Sequence, residues 1–230
     1  MKLTIKQLTL VLGCGFSLCF TPIASAAMYQ QWNQDAAGLG DAQSGNAASA
    51  QDASTEIYNP AGLIMIKQQQ VVFGTNINMP TFEFVGSSTF EGEASGSEDA
   101  EGGKYFSSPF LHYAAPISDK WAFGFGISSG YNAQSDWGGD NSVSPVATDT
   151  QISTYQISTD LAYAPWKQFS FGAGYDFVRV MVEDYDYDSP TTSPYDTSLR
   201  GDSWDTAWHA GALFQIDEAT RIGAAYHSKV

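Results

Sequence analysis

Trp121-Ala122-Phe123-Gly124-Phe125-Gly126-Ile127-Ser128-Ser129-Gly130-Tyr131-Asn132 decides the fold. Trp121, Phe123, Phe125, Ile127 and Tyr131 stand at alternate positions, and Ala122, Gly124, Gly126, Ser128, Gly130 and Asn132 fill the places between. A β-strand turns successive side chains to opposite faces, so this stretch has one oily face and one face of small residues. The same pattern recurs in six further stretches, carried by Val71, Phe73, Ile77 and Met79, by Leu111, Tyr113 and Ile117, and by Tyr155, Ile157, Leu161 and Tyr163. It continues through Phe169, Phe171, Tyr175 and Phe177, then Trp204, Trp208, Phe214 and Ile216, then Ile222, Ala224 and Tyr226. Residues 70–230 therefore read as seven antiparallel strands.

Two architectures fit that alternation. In a soluble sandwich the aromatics form the core, whereas in an outer-membrane barrel they face lipid and the small polar face lines the lumen. Loop lengths separate the two, because membrane barrels alternate short turns on one side with long loops on the other. Here the connections at Ser118-Asp119, Ala164-Pro165-Trp166 and Asp217 to Thr220 are short, and those near 85–103, 134–149 and 184–202 are long. The long ones carry runs such as Glu91-Gly92-Glu93-Ala94-Ser95-Gly96-Ser97-Glu98-Asp99, which burial would strand without partners. Trp121, Tyr163, Trp166 and Trp204 lie near strand ends, where an interfacial girdle belongs. The expected fold is all-β, an antiparallel transmembrane β-barrel of the outer membrane.

Seven strands do not close such a barrel, since single-chain bacterial barrels use an even number and hydrocarbon does not tolerate open sheet edges. The sequence also stops at Lys229-Val230 in mid-alternation. The expectation is an incomplete barrel, the first half of a longer wall over 70–230.

Composition narrows the function. The 230 residues are 43% hydrophobic and 15% charged, which suits an ordered domain rather than a disordered chain. Ten Lys and Arg against 25 Asp and Glu give a net charge of −15, which repels phosphate backbones and excludes nucleic-acid partners. Residues 1–26 place Lys2 and Lys6 before an apolar run from Leu8 to Phe20 and then Ala24-Ser25-Ala26, the order of a secretory signal peptide cleaved after Ala26. Loss of those two lysines takes the net charge to −17. Both cysteines, Cys14 and Cys19, leave with that segment, so no disulfide is expected.

Residues 27–69 differ in character from the strands beyond residue 70. They are rich in Ala, Gly, Ser, Gln and Asp without period-two patterning, and are read as a plug rather than a linker. In Asn59-Pro60-Ala61, Pro60 removes a backbone donor and drives Asn59 out of the helical region, making a turn.

An ordered set of motifs is more specific. Tyr29-Gln30-Gln31-Trp32-Asn33, Ala37-Gly38-Leu39-Gly40-Asp41-Ala42, Asp52-Ala53-Ser54-Thr55 and Tyr58-Asn59-Pro60-Ala61-Gly62-Leu63 precede the first strand. Tyr113-Ala114-Ala115-Pro116-Ile117-Ser118-Asp119-Lys120-Trp121 and Phe123-Gly124-Phe125-Gly126-Ile127 come after it. Together they resemble the FadL family of outer-membrane transporters for long-chain fatty acids and, in some branches, aromatic hydrocarbons. The resemblance spans the mature chain and about the first half of a typical member.

The resemblance implies a fourteen-stranded barrel, monomeric when full length, in the cell outer membrane of a Gram-negative bacterium, with hydrophobic small molecules, outer-membrane lipid and lipopolysaccharide as partners. It implies a hatch in the lumen, passive diffusion of ligand past it, and lateral release at an inward kink of the third strand. The matching positions are Tyr29 and Trp32 for the N-terminal ligand contact, Asn59, Pro60 and Ala61 for the hatch turn, and Gly130, Tyr131 and Asn132 for the kink. Gly130 reads equally as one more small lumen residue, and Tyr29 as a frayed terminus. Arg179 is the one base near Glu183-Asp184-Tyr185-Asp186-Tyr187-Asp188; it reads as a headgroup contact or as an ordinary lumen residue. The acidity there leaves neutral hydrocarbons open beside fatty acids. The acidic loops read as simply solvated or as divalent-cation bridges to lipopolysaccharide.

Rival readings are a general porin or adhesive barrel without a plug, or a non-functional fragment. No enzyme is expected, because His112, His209 and His227 are scattered over three strands without a nucleophile signature. No cofactor and no metal are expected either.

Overall fold

Register, which one sequence does not reveal, turns the alternating stretches into a single ladder. A computed structural model describes residues 31, 33–90, 93–96, 99–139, 141–188 and 196–230. The strands are β1 (Gln70–Asn78), β2 (Glu83–Phe84), β3 (Ser88–Phe90), β4 (Glu93–Gly96), β5 (Ala100–Glu101), β6 (Phe106–Pro116), β7 (Trp121–Ser128) and β8 (Asn132–Asp136). Then come β9 (Asp149–Trp166), β10 (Phe169–Asp188), β11 (Asp196–Ser198), β12 (Gly201–Gln215) and β13 (Arg221–His227). The wall runs β1-β6-β7-β9-β10-β12-β13, all antiparallel, with β8 on β9 and β11 on β10. The pairs β2–β5 and β3–β4 form small separate ribbons between β1 and β6.

The two faces of the wall settle the choice between sandwich and barrel. The large side chains point out, with Phe73 77% and Tyr175 48% exposed, while Ala162 on the other face is fully buried. A soluble protein does not leave such an aromatic surface in water, and a bilayer needs one. Neighbouring rings stack along it: Trp121 on Tyr163 at 4.5 Å between centroids and Trp208 on Tyr226 at 5.2 Å.

The inner face is not wet. Residues 37–65 form short helical turns, α1 (Ala37–Asp41, of 3-10 form), α2 (Asn46–Ser49), α3 (Thr55–Tyr58) and a 3-10 turn over Pro60–Met65, and all but α1 pack against the wall, on β6, β7, β9, β10, β12 and β13. Ala53, Leu63 and Ile66 from this segment bury against Ala114, Ala122 and Ala162 of the wall. Full burial of a side chain such as Leu63 contributes about 1.5–3 kcal/mol. The small face expected to line the lumen is a seat for the N-terminal segment.

Two further expectations change. Strands β9 and β10 run 18 and 20 residues, beyond the roughly ten that cross a bilayer, so the ladder continues past the hydrocarbon and shortens the loops read from sequence. The turn placed at Ala164-Pro165-Trp166 falls instead at Lys167-Gln168. Pro165 stays within β9 beside a register shift between Phe169 and Phe171, where no backbone donor is needed.

Candidate functional site

Strand β7 pairs with β9 as far as Ser128 opposite Gln156, and β8 resumes with Asn132 opposite Ser153. Four steps on one strand answer three on the other, so Ser129-Gly130-Tyr131 interrupts the wall. No ladder joins β6 to β8 among the described residues, and the β6–β7 ladder ends at Leu111 opposite Ile127. Backbone groups freed by a break must find partners in a membrane, and here the N-terminal segment and nearby side chains provide them. Gln34 Nε2 donates to the Ser129 carbonyl at 3.0 Å, and Gln31 donates from its backbone N to the Gly130 carbonyl at 2.8 Å. Tyr131 N donates to Thr154 Oγ1 at 2.7 Å, and that hydroxyl donates back to the Tyr131 carbonyl at 2.8 Å. Asn132 Nδ2 reaches Ser108 Oγ on β6 at 3.0 Å. A cavity of about 170 Å³ borders the break, lined by Gln31, Gln34, Tyr58, Tyr131, Asp176 and His227 among others, with no Lys or Arg among the described residues of the lining.

Gln34→Ala is expected to leave the Ser129 carbonyl unpaired and weaken the break by about 1–3 kcal/mol. Amide exchange at residues 129–132 should then quicken by roughly five- to 150-fold; an unchanged rate would show that Gln34 does not hold the break.

The turn at Asn59-Pro60-Ala61 is held by the wall. Asn59 is extended at φ −157°, and its Oδ1 accepts from Ala61 N at 3.0 Å, capping the 3-10 turn that Pro60 starts. Its Nδ2 donates to the Ala212 carbonyl of β12 at 3.1 Å, and Ser170 Oγ of β10 donates to the Ala61 carbonyl at 2.9 Å. The row opposite is Ala122, Ala162, Gly172 and Gly211. A Cβ on Gly172 would strike the Pro60 and Ala61 backbone, and one on Gly211 would strike Asn59 Oδ1.

Beside this seat lies a buried charge cluster. Glu56 of α3 is fully buried; its Oε1 is 2.7 Å from His112 Nδ1, and its Oε2 accepts from Ser158 Oγ at 2.8 Å. Burial pushes the Glu56 carboxyl up, but the His112 hydrogen bond and charge outweigh it and hold it below its ordinary value. The second His112 nitrogen, Nε2, lies 2.8 Å from the Gln34 carbonyl. His209 Nδ1 lies 2.9 Å from Asp176 Oδ2, and its Nε2 lies 2.7 Å from Asp160 Oδ1. Next to the cluster, burial and then the Asp35 charge push the Tyr58 phenol above its ordinary range, so its hydroxyl stays neutral while it accepts from Gln34 N at 3.0 Å. The arrangement ties the N-terminal segment to β6, β9 and β12 at once.

Residues 17–230 match the sequence model of the family described as outer membrane protein transport protein (OMPP1/FadL/TodX). The chain belongs to this family. It is 26% identical over 230 residues to a "Long-chain fatty acid transport protein" of Escherichia coli O6:H1, covering 90% of this chain and 51% of that protein. It is 28% identical over 251 residues to "Outer membrane protein P1" of Haemophilus influenzae, covering 90% and 54%. The chain thus spans about half the length of the curated relatives it matches. Its fold matches the crystal structure of a Pseudomonas aeruginosa FadL homologue with a TM-score of 0.72 at 22% identity, over 88% of this chain and 53% of that one. The Pseudomonas putida toluene transporter TodX matches with a TM-score of 0.52 at 16% identity, over 79% and 54%. The OMPP1/FadL/TodX membership makes this an outer-membrane β-barrel protein, and the described wall is about half of such a barrel.

Against the sequence expectations, the structure brings Asn59, Pro60 and Ala61 onto the wall and sets Gly130 and Tyr131 in its break. Tyr29 and Trp32 lie outside the described residues. Arg179 is not in the lumen: it shares the outward parity of Tyr175 and Phe177, pairs with Asp202 at 3.2 Å and lies 5.7 Å from the Trp204 ring. The histidines read as scattered are not, since His112 and His209 converge on Glu56, and His227 stacks on His209 at 5.0 Å. Glu56, Asp160 and Asp176 were not singled out in the sequence. Asp160 and Asp176 carried a signal, a titratable side chain at a small-face strand position, whereas Glu56 of α3 carried none.

Proposed function

We propose that this chain forms the hatch and half the wall of an outer-membrane carrier that takes up hydrophobic compounds by passive diffusion and releases them sideways through the wall. The observation that carries the reading is the break at Ser129-Gly130-Tyr131, whose freed carbonyls are held by Gln31 and Gln34 of the N-terminal segment. A movement of that segment uncovers the break, so the element blocking the lumen also governs the side exit. Residues 1–26 act as the cleaved signal peptide, 27–69 as the hatch and 70–230 as wall. The cavity beside the break offers Tyr58 and Tyr131 for apolar contact and, among the described residues, no Lys or Arg for a carboxylate. This favours neutral hydrocarbons over fatty acids as cargo, since a buried carboxylate without a counter-charge is costly.

The test joins conductance to uptake. Deleting residues 27–69 from the protein as it occurs in the outer membrane should raise single-channel conductance several-fold. Cells carrying the intact form should accumulate toluene faster than control cells while oleate uptake stays at background. Equal conductance with and without 27–69 rejects the hatch, and oleate uptake equal to that of toluene rejects the neutral cargo.

A further inference from the structure

We propose that Glu56, Asp160 and His209 form a buried divalent-metal site, with zinc the ion their donor set suits, that staples the N-terminal segment to the wall. The proposal stands apart from the transport reading. One imidazole nitrogen and two carboxylate oxygens, from α3, β9 and β12, lie within 4.8 Å of one another, and all three residues are buried. Register builds this meeting place, because Gly124, Asp160, Gly174 and His209 fall in one row across four strands.

The second observation is Asp160 itself. It is 1% exposed, and among the described residues neither of its carboxylate oxygens has a partner in good hydrogen-bond geometry. Oδ1 lies 2.7 Å from His209 Nε2, outside hydrogen-bond geometry, and Oδ2 has no hydrogen-bond partner among the described residues. An ionic group so placed needs a cation more than it needs another dipole.

His209 is oriented for a ligand's role. Its Nδ1 is taken by Asp176 Oδ2 at 2.9 Å, which turns Nε2 toward the Asp160 carboxylate and the Glu56 main-chain oxygen, 3.2 Å away. A carboxylate behind the far nitrogen is the arrangement that fixes the tautomer of metal-binding imidazoles. Charge points the same way. Three carboxyl groups, Glu56, Asp160 and Asp176, meet two imidazoles, His112 and His209, so the acids outnumber the bases in this buried cluster. A divalent ion, with all three carboxyl groups ionised, His209 neutral and His112 charged, gives a set with no net charge.

Distances allow it as well. Two donors 2.7 Å apart can each stand about 2.0–2.2 Å from a shared ion at close to a right angle. Mixed nitrogen and carboxylate donors suit zinc, whereas calcium and magnesium prefer oxygen alone. Gly126 and Gly174 keep the space clear, since a Cβ on either would collide with Glu56 Oε1 or with Asp160 and His209. Asp176 and His227 also line the 170 Å³ cavity, which gives an ion a way in.

The test titrates the detergent-solubilised protein with zinc chloride after chelation and follows binding by calorimetry, with heat-modifiable migration as the check on folding. One zinc per chain is expected, weakened at least roughly hundredfold in His209→Gln and Asp160→Asn, and about 10–100-fold in Asp176→Asn. Arg179→Gln, on the outer face of β10 beside Trp204 and away from the three donors, should bind as the parent does. Copper(II) serves as a second probe on the unmutated chain, because its electron-spin spectrum should show coupling to one imidazole nitrogen. Absence of stoichiometric zinc, undiminished binding in a folded His209→Gln, or a copper spectrum with no nitrogen or several would overturn the proposal.

Discussion

Gly172→Leu is expected to unseat the N-terminal segment while leaving the wall intact. Gly172 sits on β10, paired with Ala162 on one side and Gly211 on the other, and faces the Pro60-Ala61 peptide. A Cβ there meets backbone, which cannot swing aside as the end of a long side chain can. Overpacking a well-filled core costs typically about 1–3 kcal/mol, and a full isobutyl group against a peptide plane belongs at or above the top of that range. The strand itself loses nothing, because Leu suits a pleated surface better than Gly does. The bond from Ser170 Oγ to the Ala61 carbonyl and that from Asn59 Nδ2 to the Ala212 carbonyl fall within the same displaced seat. The expected outcome is protease cleavage within residues 31–66 at least roughly tenfold faster than in the parent, with higher conductance and unchanged heat-modifiable migration. Gly201→Ala, where a Cβ meets nothing within 4 Å, serves as the matched control. Cleavage and conductance equal to the parent's would mean that the segment does not rest on Gly172.

The outer face was legible because period two belongs to any strand, whatever its neighbours. Trp121, Phe123 and Phe125 announce their face from sequence alone, and loop lengths assign that face to lipid. The inner face was not legible as a seat, because its meaning depends on register. Gly124, Asp160, Gly174 and His209 become one row only when three strand pairings are fixed. A slip by one residue at any pairing would scatter them. The same holds for the break: Gly130 marks a weak point in the chain, but Gln31 and Gln34, about a hundred residues earlier, hold it together. Arg179 is a different case. Its parity with Tyr175 and Phe177 already placed it outward, and the acidic run at 183–188 drew attention toward the lumen instead.

His112→Leu is expected to release α3 from the wall. His112 is fully buried on β6 and bridges two parts of the N-terminal segment, Glu56 Oε1 through Nδ1 at 2.7 Å and the Gln34 carbonyl through Nε2 at 2.8 Å. Leu has a similar volume and fills the space, so the effect measured is that of the polar contacts rather than of a cavity. Removing one partner of a buried ion pair leaves the other charge uncompensated, at a cost of about 3–5 kcal/mol. That corresponds to local opening roughly a hundred- to a few-thousandfold more frequent, at about 1.4 kcal/mol per factor of ten. Amide exchange at Thr55–Asn59, where Asn59 N donates to the Thr55 carbonyl at 2.8 Å, reads the opening directly. The partner change separates charge from packing: Glu56→Met on its own leaves the His112 charge without its counter-charge, whereas Glu56→Met together with His112→Leu replaces the whole pair by apolar groups and should restore much of the protection. Chelator is kept present throughout, so that a bound ion contributes nothing to the comparison. If exchange at 55–59 is unchanged in His112→Leu, or if the double variant loses the sum of the two single losses, the pair does not latch the segment to the wall.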